Sequence, residues 1–277
     1  MLMKNQIVEF IGQGNMSKRL EELDKKFSEW MDLLPSEYQK IAVEAIDQVM
    51  FALANFCQQK AAVIETEHKI MVEARLFHEQ IEAIEDMQKL SIQQLEFMES
   101  KIRSRFSKYA LAEGGIAGLG HPLGLLLDFP ALLTINLKMV QSIASTYGYS
   151  LRYPPEQALA LKVLHAASLP KMYEEEAWSW LIAELYDQLD EDFPFYQEDQ
   201  GTIIQREWLQ TLAKQWIKSI GLYGLKKATK QKYSIVGAVL AAGANYQFTT
   251  HIGQVASRFY QYRFQASKEE AQTGPIK

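Results

Sequence analysis

From Ser36 to Ala112 the chain contains neither proline nor glycine, and apolar residues recur there at helical spacing, as in Ile41, Ala45, Val49, Leu53 and Phe56. No period-two alternation of strand length occurs anywhere in the sequence. Together these features restrict the chain to an all-α fold, a compact multi-helix domain. Pro35 closes an N-terminal helix placed in residues 1–35, and Ser36 with Gln39 forms a capping box that opens the next. A second box, Ser91 with Gln94, opens another helix. A break near Thr66 is expected between them, because a helix of more than 50 residues is improbable in a soluble domain.

Further along, Asp128 before Phe129 and Pro130 reads as a helix start, with the carboxylate capping free amides and proline in the first turn. That helix is expected to end at Gly148. Pro154 and Pro155 then begin a helix from Glu156 to about Leu169. The predicted organisation is an N-terminal helix in 1–35, a single all-α domain over 36–265, and a polar tail, 266–277, that frays.

The 14-residue stretches Gly114–Leu127 and Ile235–Phe248 are the most apolar in the chain. Each is shorter than the roughly 20 residues needed to cross the hydrocarbon core, so neither is expected to span a bilayer. Gly114, Gly118, Gly120 and Gly124 give two overlapping G-x-x-x-G pairs, and Gly237, Ala241, Asn245, Thr249 and Gly253 give a row of small residues at spacing four. An interior helical glycine costs about 1 kcal/mol relative to alanine. A tight crossing between the two glycine-rich helical segments is the expected compensation.

At this point the residues carry a family resemblance. The block 112–167 contains a glycine-rich turn, an Asp-x-Pro helix, the helix end Ile143-Ala144-x-x-Tyr147-Gly148-Tyr149 and a helix opened by Pro155-Glu156. The block 234–264 contains Val-Gly-Ala, Gly243-x-Asn245-Tyr246 and an aromatic helix bearing Phe259 and Arg263. Both blocks resemble the EcsC family. The resemblance falls on Gly114, Gly118, Gly124, Asp128, Pro130, Asn136, Tyr147, Gly148, Tyr149, Gly237, Gly243, Asn245 and Arg263 as motif residues, while His121 stands where a small residue is expected. The family takes its name from a gene beside an ATP-binding-cassette exporter, so the resemblance implies a neighbourhood and not a reaction.

Known catalytic patterns are missing from the sequence. Gly115 and Gly120 have P-loop spacing, but His121 and Pro122 replace the lysine and hydroxyl that such a loop requires. Glu65 with His68 is the one E-x-x-H pair, where a di-iron bundle needs two and further carboxylates. A single cysteine, Cys57, excludes a disulfide framework or thiolate metal centre and predicts a reducing, cytoplasmic setting. With 29 basic against 34 acidic residues the net charge is −5, which argues against a nucleic-acid partner. No catalytic residue, cofactor or metal is therefore predicted.

Charge is nevertheless segregated. Glu174 to Asp199 carries ten carboxylates and no base, whereas Arg206 to Lys232 carries seven bases and one acid. Lys226, Lys227, Lys230 and Lys232 are candidate contacts to an anionic membrane surface. The sequence thus predicts a non-enzymatic cytoplasmic protein, peripheral at the inner face of the membrane or on a membrane complex, as an exporter accessory. The alternative is a soluble protein that binds a lipid or another apolar ligand, and an enzyme using Asp128 ranks third.

Overall fold

The computed structural model describes residues 36–58, 60–117, 124–169, 174–187 and 235–273, with scattered residues between 25 and 33 and between 210 and 217. Among the described residues there are helices and no strands, as the spacing predicts. The helices are α1 (Ser36–Gln58), α2 (Lys60–Ala74), a 3-10 helix (Ile84–Lys89), α3 (Ile92–Ala117), α4 (Gly124–Thr146), α5 (Pro154–Ser168), α6 (Glu174–Asp187) and α7 (Ile235–Thr273). None is long and apolar enough to cross a membrane, among the described residues.

Local chemistry sets most of these boundaries. The Ser91 amide donates to Gln94 Oε1 at 2.9 Å and the Gln94 amide to Ser91 Oγ at 3.4 Å, so the predicted box opens α3. Asp86 Oδ2 accepts the amides of Glu82 and Ala83 at the start of the 3-10 helix. At the first junction Gln39 Nε2 reaches back to donate to the Met31 carbonyl at 3.0 Å. The two prolines stand at the start of α5, as expected.

Three boundaries differ from the sequence reading. Thr66 lies inside α2, where its hydroxyl donates to the Ala62 carbonyl at 2.8 Å and so satisfies itself within the helix. The described helices between the two boxes are instead bounded at Gln58 and Lys60, and again after Ala74. Asp128 does not cap a helix at Phe129, because α4 already begins at Gly124 and contains both Asp128 and Pro130. Pro130 stands in the second turn of α4, where it removes one intrahelical donor, and its carbonyl accepts the Thr134 hydroxyl at 2.9 Å. Finally, α7 continues past Ala266 to Thr273, with Ser267 held both by the Arg263 carbonyl and by Tyr149.

The centre of the fold is an antiparallel pair. Gln261 donates to Glu96 at 2.6 Å, Ser107 and Thr250 hydroxyls lie 3.1 Å apart, and Asn245 Nδ2 donates to Glu113 Oε2 at 3.0 Å. Positions on α7 fall as those on α3 rise, so the two helices run side by side in opposite directions. α4 packs on both, and its inner face buries Leu133, Leu137, Val140, Ile143 and Ala144. On its other side α1 contributes Ala42, Ala45, Val49 and Leu53, all fully buried at helical spacing.

α5 is buried on every face from Gln157 to Ala167. A helix apolar all round belongs in the middle of a fold, and α5 sits among α4, α6 and α7. His165, read from the sequence as a packed imidazole, lies between the rings of Trp180 and Trp216.

Candidate functional site

Four of the residues that the resemblance singles out, Tyr147, Gly148, Tyr149 and Arg263, converge where α4 ends. Gly148 takes φ +88°, a left-handed conformation that a side chain would strain. Its amide donates to the Ser145 carbonyl at 3.1 Å and the Tyr149 amide to the Ala144 carbonyl at 3.0 Å, which is the bond pattern of a Schellman stop. Added side-chain bulk at Gly148 would also press on Gln88 at 3.3 Å and the Ile84 carbonyl at 3.4 Å. This turn throws Tyr147 and Tyr149 toward α7 and the following residues toward α2.

Tyr149 is clasped from α7. The Arg263 guanidinium lies 3.8 Å from its ring centroid, the Tyr260 ring is 5.8 Å away, and its hydroxyl is 3.4 Å from Ser267 Oγ. Arg263 Nη1 and Nη2 each donate to one oxygen of Glu156 at 2.6 Å, a bidentate pair that joins α7 to the first turn of α5. Both side chains are largely withdrawn from water, at 14% and 16% exposure. Behind them Tyr147 is fully buried, with its ring 5.9 Å from Phe264.

A second tie, which no sequence pattern announces, runs to the N-terminal layer. Glu67 of α2 has no exposed surface; it accepts the Ser150 hydroxyl at 2.6 Å and pairs with Arg152 Nε at 2.6 Å. One four-residue stretch, Tyr149 to Arg152, therefore bolts α2, α5 and α7 together.

The electrostatics of this knot suit holding and not reacting. Burial raises Tyr260, Tyr147 and Tyr149 above the usual phenol range, so all three stay neutral at physiological pH. For Arg263, burial works against the charge, but the hydrogen bonds and charge of Glu156 outweigh it and the group is held even more firmly protonated. The guanidinium is engaged by a carboxylate on its edge and an aromatic ring on its face. Among the described residues no group of three or more His, Cys, Asp or Glu is placed to hold a metal ion.

Other predicted positions are distributed elsewhere. Asn136 is buried in α4 and donates to the Leu132 carbonyl of its own helix at 2.8 Å. Asn245 anchors α7 to Glu113, one residue before the buried Gly114 of α3. Gly253 makes a close approach to α3 and α4 at positions outside the Gly114–Leu127 stretch: a methyl group there would sit 3.1 Å from Arg103 carbons and 3.2 Å from Met139 Sδ. At Gly243, among the described residues, nothing lies within 4 Å of the corresponding position. Gly124 and Gly237 begin α4 and lie in the first turn of α7. Gly118, His121 and the lysines 226, 227, 230 and 232 lie outside the described residues, and so does any contact with them.

A second core carboxylate besides Glu67 escaped the sequence reading. Glu99 of α3 is buried, pairs with Arg103 at 3.0 Å, and is raised by burial against the opposing pull of Ser257 and Arg103. Its apolar helical neighbours gave no sign of it in the sequence.

Similarity to known proteins agrees with the family resemblance. A family model described as the EcsC protein family matches residues 12–264. The uncharacterized protein YdbA of Bacillus subtilis (strain 168) is 27% identical over 151 residues, 53% of this chain and 54% of that relative. Protein EcsC of the same strain is 24% identical over 207 residues, 74% of this chain and 79% of that relative. The chain thus spans about half the length of the first of these two relatives. No solved structure matches it.

Proposed function

The chain belongs to the EcsC protein family, and from that footing we propose that it is a non-enzymatic cytoplasmic protein that associates peripherally with the membrane or with a membrane complex, in the manner of an exporter accessory. The observation that supports this is a contrast in how side chains are used. The motif residues pair with one another in the interior, while large apolar groups stand outside in the N-terminal layer. Phe51 is 68% and Leu76 82% exposed, and Phe77 packs edge-on at 6.1 Å against the exposed ring of Phe97, with Lys101 Nζ 4.7 Å above that ring. Clustered exposed apolar groups of this kind mark docking surfaces for proteins or lipid. The basic stretch with Lys226, Lys227, Lys230 and Lys232 adds about 1 kcal/mol per lysine near an anionic leaflet.

Sedimentation with anionic vesicles tests the reading. Binding should fall several-fold between about 0.01 M and 0.15 M salt, as the Debye length shrinks from about 30 Å to about 8 Å. Changing the four lysines to glutamine should abolish it while the helical circular dichroism stays intact. A wild-type chain that never sediments, at either salt, would defeat the membrane reading.

A second reading is favoured by one feature. A groove of about 590 Å³ runs between α1 and α4, with Phe51, Ala52, Pro130 and Leu137 on its walls and Asp47 and Lys138 among its polar groups. Its size is that of small-molecule pockets, about 300 to 1,000 Å³. In this reading the protein is soluble and binds a lipid or another apolar ligand, and lipid extracted from the purified chain would identify it.

A further inference from the structure

The far side of α7 from the α1 groove presents a different chemistry. His251, Gln254 and Arg258 stand at intervals of three and four residues and so share one face of the helix. They line a cleft of about 100 Å³ closed on its other sides by α5 and α6. Leu169 at the C-cap of α5 and Ala177 and Leu181 of α6 make its apolar wall, and Glu174, at the first turn of α6, lines it too. The Arg258 guanidinium is stacked 4.0 Å from the Trp178 ring, which is itself braced edge-on by Tyr262 at 6.3 Å. Stacking fixes the plane of the guanidinium while leaving its hydrogen-bonding edge available.

The two charges in this cleft do not neutralise each other. Neither Arg258 nor Glu174 meets an oppositely charged side chain within 4.0 Å among the described residues, although they line one small space from facing helices. A simple anion would be drawn to Arg258 and repelled by Glu174; a simple cation would face the reverse. A small molecule carrying both charges satisfies both. The amide of Gln254 and the imidazole of His251 supply further donors beside Arg258, which suits a tetrahedral oxyanion better than a single contact does.

We propose that this cleft recognises a zwitterion with a phosphate and a primary ammonium a few ångströms apart, the chemistry of phosphoethanolamine, with the phosphate on Arg258, His251 and Gln254 and the ammonium on Glu174. The proposal deepens the membrane reading, since the same chemistry is found in a lipid headgroup as well as in the free compound.

Titration calorimetry of the full chain with O-phosphoethanolamine should show saturable binding. Arg258→Gln should weaken it at least tenfold. Glu174→Gln should abolish the preference for phosphoethanolamine over inorganic phosphate while leaving phosphate binding at least as tight. Both positions are at the surface, and unchanged melting curves will show that the variants are folded. No saturable binding by the wild type, or wild-type affinity and preference in both folded variants, overturns the proposal. Sedimentation with vesicles containing phosphatidylethanolamine, compared with phosphatidylcholine alone, then separates the sources. Selective sedimentation places the headgroup in a bilayer. Binding of the free compound without sedimentation keeps the cleft and counts against the membrane reading alone.

Discussion

Two parts of α7 carry residues of the same motif block and use them differently. Around Arg263 the helix is locked: the guanidinium is shared by Glu156 and Tyr149, Tyr260 is fully buried, and Ser267 closes on the Tyr149 hydroxyl. Around Gly243, among the described residues, nothing lies within 4 Å of where a methyl group would sit. Gly253 lies between these two regimes, pressed against Arg103 and Met139 where three helices meet. The comparison teaches that a motif residue is to be judged by its neighbours. The locked end of α7 is a clasp that sets the relative positions of α2, α4, α5 and α7, and the rest of the surface is then available for binding.

The largest effect should come from opening that clasp. Arg263→Ala leaves the Glu156 carboxylate buried and unpaired, a change that typically costs about 3 to 5 kcal/mol. At roughly 2 to 4 °C per kcal/mol for a chain of this size, the melting temperature should fall by about ten degrees. A fall of only a degree or two would place Arg263 outside the framework.

Next, Gly253→Leu and Gly243→Ala should move stability in opposite directions. The first overfills a contact already at 3.1 Å and should cost about 1 to 3 kcal/mol by urea unfolding. The second adds a methyl group within a helix where no described residue lies within 4 Å, and should stabilise by up to about 1 kcal/mol. Equal effects at the two glycines would erase the distinction between these parts of α7.

The smallest effect concerns pH. Because burial raises the Glu99 carboxyl, the folded chain holds that proton more tightly than the unfolded chain does. The penalty for ionising it is absent in acid, grows as pH rises from the unfolded value through the raised folded value, and is complete above it. Glu99→Gln should therefore raise the melting temperature at neutral pH, with the gain disappearing near about pH 4. A gain that grows toward acid would reverse the assignment.

Much of the framework was legible because it rests on local chemistry. Ser91 and Gln94 cap each other within one turn, Gly148 supplies the positive φ that ends α4, and Pro154 and Pro155 open α5. The Asp128–Pro130 pattern misled because the same residues that suit a helix start are tolerated a turn further in, once the leucines before them extend the helix to Gly124. The clasp was legible only in part. The resemblance marked Tyr149, Glu156 and Arg263, but that they meet is a long-range fact, since more than a hundred residues separate Glu156 from Arg263 in the chain. Glu67 gave no signal at all: a carboxylate on α2 looks solvated until the fold brings Ser150 and Arg152 over it.

A double-mutant cycle on Glu156 and Arg263, read by urea unfolding, tests the clasp most directly. If the two side chains hold α5 and α7 together, Glu156→Ala and Arg263→Ala should each be costly, and the double variant should cost well below their sum, with a coupling in the upper part of the roughly 0.5 to 3 kcal/mol range seen for contacting residues. If the two losses simply add to within about 0.5 kcal/mol, the pair is not the tie between these helices and the account of the motif as a clasp is wrong.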